Sequence, residues 1–159
     1  MCGLLCRPAL INRRLALSVA AGVIALDQLT KWLVVRTLPG DPVVLIDGFL
    51  ELRYVTNSGA AFSMLDGFGS VIALIAIAAV VFIFLLAVQV DRKGEIAALG
   101  LVLGGAIGNL LDRIFRGDGF LDGGVVDFVD FSFFPAFNVA DSAITIGAAA
   151  ALWFAFVRR

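Results

Sequence analysis

No histidine occurs among the 159 residues of this chain. That removes the commonest general base and the commonest metal ligand. Cysteine is almost as scarce: Cys2 and Cys6 are the only two, and both lie at or beside the basic stretch RPALINRR. Two cysteines without a histidine do not make a zinc site. They are expected on the cytosolic side as free thiols. No apolar h-region precedes Cys6, so it is not read as a lipid-attachment cysteine. Net charge is also nearly missing, at −1 from 12 Lys+Arg and 13 Asp+Glu. There is then no basic field to attract nucleic acid. What the chain has instead is apolar surface: 61% of its residues are hydrophobic and its mean hydropathy is +1.03. A soluble domain of this size has too little interior to hide that much, so the composition implies a membrane protein.

Four apolar runs stand out, at about Leu15–Val35, Ser70–Val90, Ile96–Phe115 and Val139–Val157. Each has about 20 residues, enough to cross a hydrocarbon layer of about 30 Å as a helix. The first follows Arg13 and Arg14 and has some look of a signal peptide. It continues through Trp32 and Val35, however, and three more spans follow it; a secreted domain would not have them. Arginine and lysine set the orientation. Arg7, Arg13 and Arg14 precede the first run, Arg92 and Lys93 lie in the turn DRKGE, and Arg158 and Arg159 follow the fourth. A four-span chain puts these three places on one face, which is read as cytoplasmic, with both termini inside. The opposite face receives two longer segments, roughly 36–69 and 116–138, rich in aspartate: Asp41, Asp47, Asp66, Asp118, Asp122, Asp127 and Asp130. In the first, VVLI and LELRYV flank the turn signal DG and are read as a strand pair on the membrane surface. The second is glycine-rich and then aromatic, and is read as a loop. The fold class is therefore an all-α membrane protein, with four transmembrane helices and a small extracytoplasmic β element.

Small residues recur every four positions at Gly100, Gly104 and Gly108, and again at Ala143, Gly147 and Ala151. Such stripes let helix backbones approach closely in lipid, and packing is the reading given to them.

The polar residues inside the apolar runs carry the functional signal. Asp27 lies past the middle of the first run, toward its outer end. Asn109 and Asp112 lie near the outer end of the third, and Asn138 and Asp141 open the fourth. Asn109/Asp112 and Asn138/Asp141 are i,i+3 pairs that share a helix face, and Asp27/Lys31 is an i,i+4 pair. A carboxylate at this depth costs several kcal/mol unless a partner or a polar cavity meets it. Local satisfaction is the plainer reading: Asp27 by Lys31, Asp112 by Arg113 or Arg116, and Asp141 as a helix N-cap, a place that Asn138 could take as easily, with Asp141 then one turn inside the helix. The functional reading is chemical. Without histidine, aspartates are the abundant titratable groups on the outer side. Two of them placed close together cannot both ionise easily. One then activates a water while the protonated partner polarises a carbonyl. That is aspartic peptide hydrolysis, which needs neither metal nor cofactor. Spacing alone does not say which two aspartates form the pair.

Five stretches then coincide with one family: DQLTK (27–31), NSGAAF (57–62), GGAIGNLLDR (104–113), GVVDF (124–128) and FNVADSA (137–143). In these stretches, in order and across nearly the whole chain, the sequence resembles lipoprotein signal peptidase, or signal peptidase II, a bacterial membrane aspartic protease family. The resemblance implies Asp127 and Asp141 as the catalytic pair. It implies Asp27, Lys31, Asn57, Gly59, Asn109, Asp112, Arg113 and Asn138 as residues that shape the site or hold substrate. It implies a prolipoprotein substrate whose cysteine carries diacylglycerol, cut just before that cysteine, with membrane lipid around it. It further implies inhibition by globomycin, location in the cytoplasmic (inner) membrane, and an active site at the extracytoplasmic face. Residues 1–159 are expected to form one four-span domain and to act as a monomer. The segment from Ile114 to Gly124 is longer than the family pattern and adds Asp118 and Asp122. Asp130 lies close by, but only Asp127 follows GVV. The stretch 57–62 is expected to form one wall of the site, and the second outer loop a flap over it.

Other classes are weaker. A proton-coupled transporter also uses intramembrane aspartates, but its polar path should reach the other face, and the cytoplasmic halves of these runs carry almost no polar side chain. An inactive assembly subunit would tolerate loss of the aspartates. A rhomboid-like serine protease would lack its histidine base.

Overall fold

In a computed structural model, residues 6–58 and 69–157 are described, with side chains from residue 13 onward. Gly59 and most of NSGAAF lie outside the described residues, as do Cys2 and the side chain of Cys6. Helix α1 spans Cys6–Thr37, strand β1 Val43–Ile46 and strand β2 Leu50–Asn57. Helices α2 (Gly69–Ala87) and α3 (Lys93–Phe115) follow, then β3 (Val125–Phe131), β4 (Phe134–Phe137) and α4 (Val139–Phe156). All four helices are long and apolar enough to cross a membrane. Leu26, Leu29, Leu74, Ile75, Phe82, Leu152 and Trp153 lie exposed on their outer faces. In water such a surface would drive association; against lipid tails it carries no penalty.

Helix α3 is the central element and packs against α1, α2 and α4. Its glycines explain how. A Cβ at Gly100 would lie 2.9 Å from the Ala16 carbonyl oxygen, and one at Gly104 2.8 Å from that of Ala20. These positions seat α3 directly on the α1 backbone. The α4 stripe does the same on the other side, where a Cβ at Gly147 would lie 2.7 Å from the Ala98 carbonyl oxygen. Helix α3 starts at Lys93, earlier than the apolar run, because its first turn is polar. Glu95 sits in that turn, where the positive end of the helix dipole favours it.

The antiparallel sheet has the order β1-β2-β3-β4. It joins the segment between α1 and α2 to the segment between α3 and α4, so it lies at the end of the bundle where these connections meet. The strand pair read from VVLI and LELRYV is present as β1 and β2. The second outer segment is not a loop throughout: 125–131 and 134–137 are strands. VVDFVDF runs hydrophobic on both faces, which hides the period-2 signal of a half-exposed strand. Most of its residues on both faces are buried, and on one face Val126 and Phe128 pack against Val34 of α1. As the third strand of the sheet, this part of the segment is built into the scaffold and is not a free flap.

Candidate active site

Strand β3 presents Asp127, and pairing with β2 puts Val125 opposite Asn57. The Asn57 side chain is then a diagonal neighbour of Asp127. Its Nδ2 donates to Asp127 Oδ2 at 3.1 Å. From the other side, Asn138 Nδ2 donates to Asp127 Oδ1 at 2.6 Å. Asp127 is 2% exposed. Burial raises its pKa first, the Asn57 hydrogen bond opposes this, and the charge of Asp141 raises it again; the result is about 6.

Asp141 stands at the opening of α4. It is not the N-cap: Asn138 is, with its side-chain oxygen accepting from the Asp141 N–H at 2.9 Å. Asp141 Oδ2 accepts in return from the Asn138 N–H at 3.2 Å, which completes a capping box. Its Oδ1 accepts from Asn109 Nδ2 at 2.8 Å. The last two bonds hold the carboxylate one turn into the helix, where it lines the same cavities as Asp127.

Behind them lies a buried ionic cluster. Lys31 Nζ is 2.8 Å from Asp27 Oδ2 and 2.9 Å from Asp112 Oδ2, with all three side chains closed to solvent. It also donates to Asn109 Oδ1 at 2.9 Å. The surface partner of Asp112 is Arg116, at 2.8 Å, and not Arg113. Sequence reasoning passed over Gln28, which donates to Asp27, Asp112 and the Gly108 carbonyl oxygen. A polar side chain next to Asp27 inside an apolar run was its only signal.

Two cavities open on the pair. One, of about 340 Å³, runs between α2, α3 and α4 and is lined by Ile72, Ala76, Ala79, Ala106 and Arg113. The other, of about 550 Å³, lies between β4 and α4 and is lined by Phe134, Phe137, Ser142, Thr145 and Ile146. Asn57, Asp127 and Asp141 line both. Arg113 is 7% exposed, and its Nη1 is buried without a hydrogen-bond partner. Asp130 is engaged elsewhere, in an ion pair with Arg53 of β2. Among the described residues, no cluster of three or more metal-ligating side chains occurs.

The arrangement thus defines a class: a membrane-spanning helical protein with two carboxyl groups, braced by asparagines, at the junction of two largely apolar cavities. The sequence model of the family described as "Signal peptidase (SPase) II" matches residues 19–157, and the chain belongs to that family of peptidases. It is 47% identical over 144 residues to a protein of Rhodococcus jostii named lipoprotein signal peptidase, covering 89% of this chain and 73% of that one. A protein of the same name from Mycobacterium avium is 49% identical over 136 residues, covering 85% of this chain and 75% of that one. Among solved structures, one bacterial membrane enzyme superposes with a TM-score of 0.73 at 31% identity, covering 86% of this chain and 89% of its own. A second gives 0.69 at 32% identity, covering 90% and 87%.

Proposed function

We propose that this peptidase removes the signal peptide from diacylglyceryl-modified prolipoproteins, cleaving just before the lipidated cysteine, with Asp127 and Asp141 as an aspartic dyad. The observation that carries the reading is that both carboxyl groups line the same two cavities, with the charge of Asp141 among the causes that raise Asp127. Asp127, raised to about 6, is the member that holds the proton and polarises the scissile carbonyl. Asp141 takes the proton of the attacking water. The tetrahedral intermediate then collapses as the proton on Asp127 passes to the leaving amine. Arg113 supports the chemistry from the first cavity, where its free Nη1 is available to a substrate oxygen. The two apolar cavities suit a substrate that is part peptide helix and part lipid, and their position at one end of the bundle suits a cut at the membrane boundary. On the lysine and arginine distribution that end is extracytoplasmic, with both termini in the cytoplasm of a bacterial cell. On the same reading globomycin is an inhibitor that competes for this site.

The test is turnover of a diacylglyceryl-modified precursor, followed by gel shift. Wild-type protein should cleave it. Asp127→Asn and Asp141→Asn should each insert normally and fail to cleave. Retained turnover in either purified variant overturns the dyad.

A further inference from the structure

The site holds a buried cation that the proposed chemistry does not use. An ammonium has three N–H donors and no acceptor. Lys31 directs its Nζ at Asp27, Asp112 and Asn109. Each of these three passes a hydrogen bond onward, and all three bonds arrive at or next to a dyad residue. Asp27 Oδ1 accepts from the Ala140 N–H at 2.9 Å, one residue before Asp141. Asp112 Oδ2 accepts from the Val126 N–H at 3.1 Å, one residue before Asp127. Asn109 donates to Asp141 itself.

The chemistry of the donors makes this directional. Lys31 can only donate, so the Asn109 amide must turn its oxygen toward it. The Asn109 Nδ2 is then left for Asp141. The same Asn109 oxygen accepts from Asn138 Nδ2 at 3.1 Å. Asn138 must therefore present its amide nitrogen on this side. That nitrogen reaches Asp127 Oδ1, and the Asn138 oxygen is left for the Asp141 N–H. Reversing either amide would set oxygen against carboxylate or nitrogen against ammonium. One cation thus orients two asparagines and, through them, both carboxyl groups.

Resting on the reading of Asp127 and Asp141 as the dyad, we propose that Lys31 is its positioning residue. It anchors the backbone of β3 and of α4 through Asp112 and Asp27, and fixes the hydrogen-bonding sense of Asn109 and Asn138. It touches no substrate and transfers no proton. The role differs from charge balance, in which any neutral replacement of the ion cluster would serve.

Full-length Lys31→Met and the charge-compensated Lys31→Met/Asp27→Asn, purified in detergent, separate the two. In the double variant Asp112 keeps Arg116 as partner, and the amide introduced in place of the Asp27 carboxylate keeps an oxygen for the Ala140 N–H. Two quantities are read. Amide hydrogen exchange by mass spectrometry should be faster than wild type in peptides containing Val126 and Ala140 for Lys31→Met. Cleavage of the lipid-modified precursor should lose about 100-fold in kcat with KM little changed, the cost of a small misplacement of reacting groups. The double variant should regain thermal stability and remain slow, because Asn109 keeps the Asn138 amide as a donor but still lacks the ammonium that fixes its sense. Recovery of kcat in the double variant, or unchanged exchange at both amides in Lys31→Met, overturns the proposal. Failure of the wild type to cleave would count against the functional reading alone, and the exchange measurement would still decide whether Lys31 holds the two backbones.

Discussion

Asp127 is the residue on which burial, hydrogen bonding and a neighbouring charge converge. The folded chain keeps its proton up to about 6, whereas the ordinary value is 3.8. Between those values the folded state holds a proton that the unfolded chain has released. This group's contribution to stability is therefore fully present below 3.8 and is lost as pH rises through about 6. Thermal unfolding from pH 4 to 7 should show that decline in wild type and a flatter course in Asp127→Asn. In catalysis the same titration should appear as the alkaline limb of kcat/KM, which reports the free enzyme, with a midpoint of about 6. A limb that keeps its midpoint in Asp141→Glu, where the second carboxyl is displaced, would show that the pair is not coupled. Asp127 could not be told from Asp130 by composition or depth. The difference lies in their partners: Asn57 and Asn138 for one, Arg53 for the other.

The elements meet through glycine. At Gly108 of α3 a Cβ would lie 2.7 Å from Asp27 Oδ2 and 3.4 Å from the Ala140 Cβ, so α1 and α4 both close on this one position. Gly108→Ala should push the Asp27 carboxylate off the Ala140 N–H, at a cost of about 1–3 kcal/mol of stability as overpacking, and should lower turnover. Gly22 of α1 has nothing within 4 Å of its would-be Cβ. Gly22→Ala should leave the melting temperature unchanged or raise it, since alanine is favoured over glycine in a helix by about 1 kcal/mol. A melting temperature equally lowered by both substitutions would refute close packing at Gly108. The stripe 100-104-108 was legible as a packing face from its period of four. That its last member borders the buried Asp27 carboxylate was not, because the period says nothing about what the partner helix brings to the contact.

At the scale of the whole molecule, the proposed orientation rests on the distribution of lysine and arginine. Among the described residues, Arg13, Arg14, Arg92 and Lys93 lie at the end away from the sheet, and the Asp-bearing connections lie on the sheet side. Expressed in cells without Cys2 and Cys6, a protein carrying Asp47→Cys should react with a membrane-impermeant maleimide, and one carrying Arg92→Cys should react only after lysis. The opposite pattern would invert the proposed orientation and move the site to the cytoplasmic face. The arrangement of four spans also explains how a chain with so little polar surface keeps carboxylates buried: α1 and α3 share one ion cluster, and β3 and α4 hang from it.

By itself the sequence determined four apolar helices, their alternation, one strand pair and the level at which the polar residues gather. These follow from hydropathy, spacing and turn chemistry, all local to a stretch of chain. It did not determine that 125–131 is a buried strand or that Lys31 bridges to α3 and not only to its own helix, and it left the cap of α4 open between Asn138 and Asp141. Each of those depends on which groups from distant segments come within hydrogen-bond reach. Only the tertiary structure decides that, since in a dry interior a polar group takes whichever partner the packing brings to it.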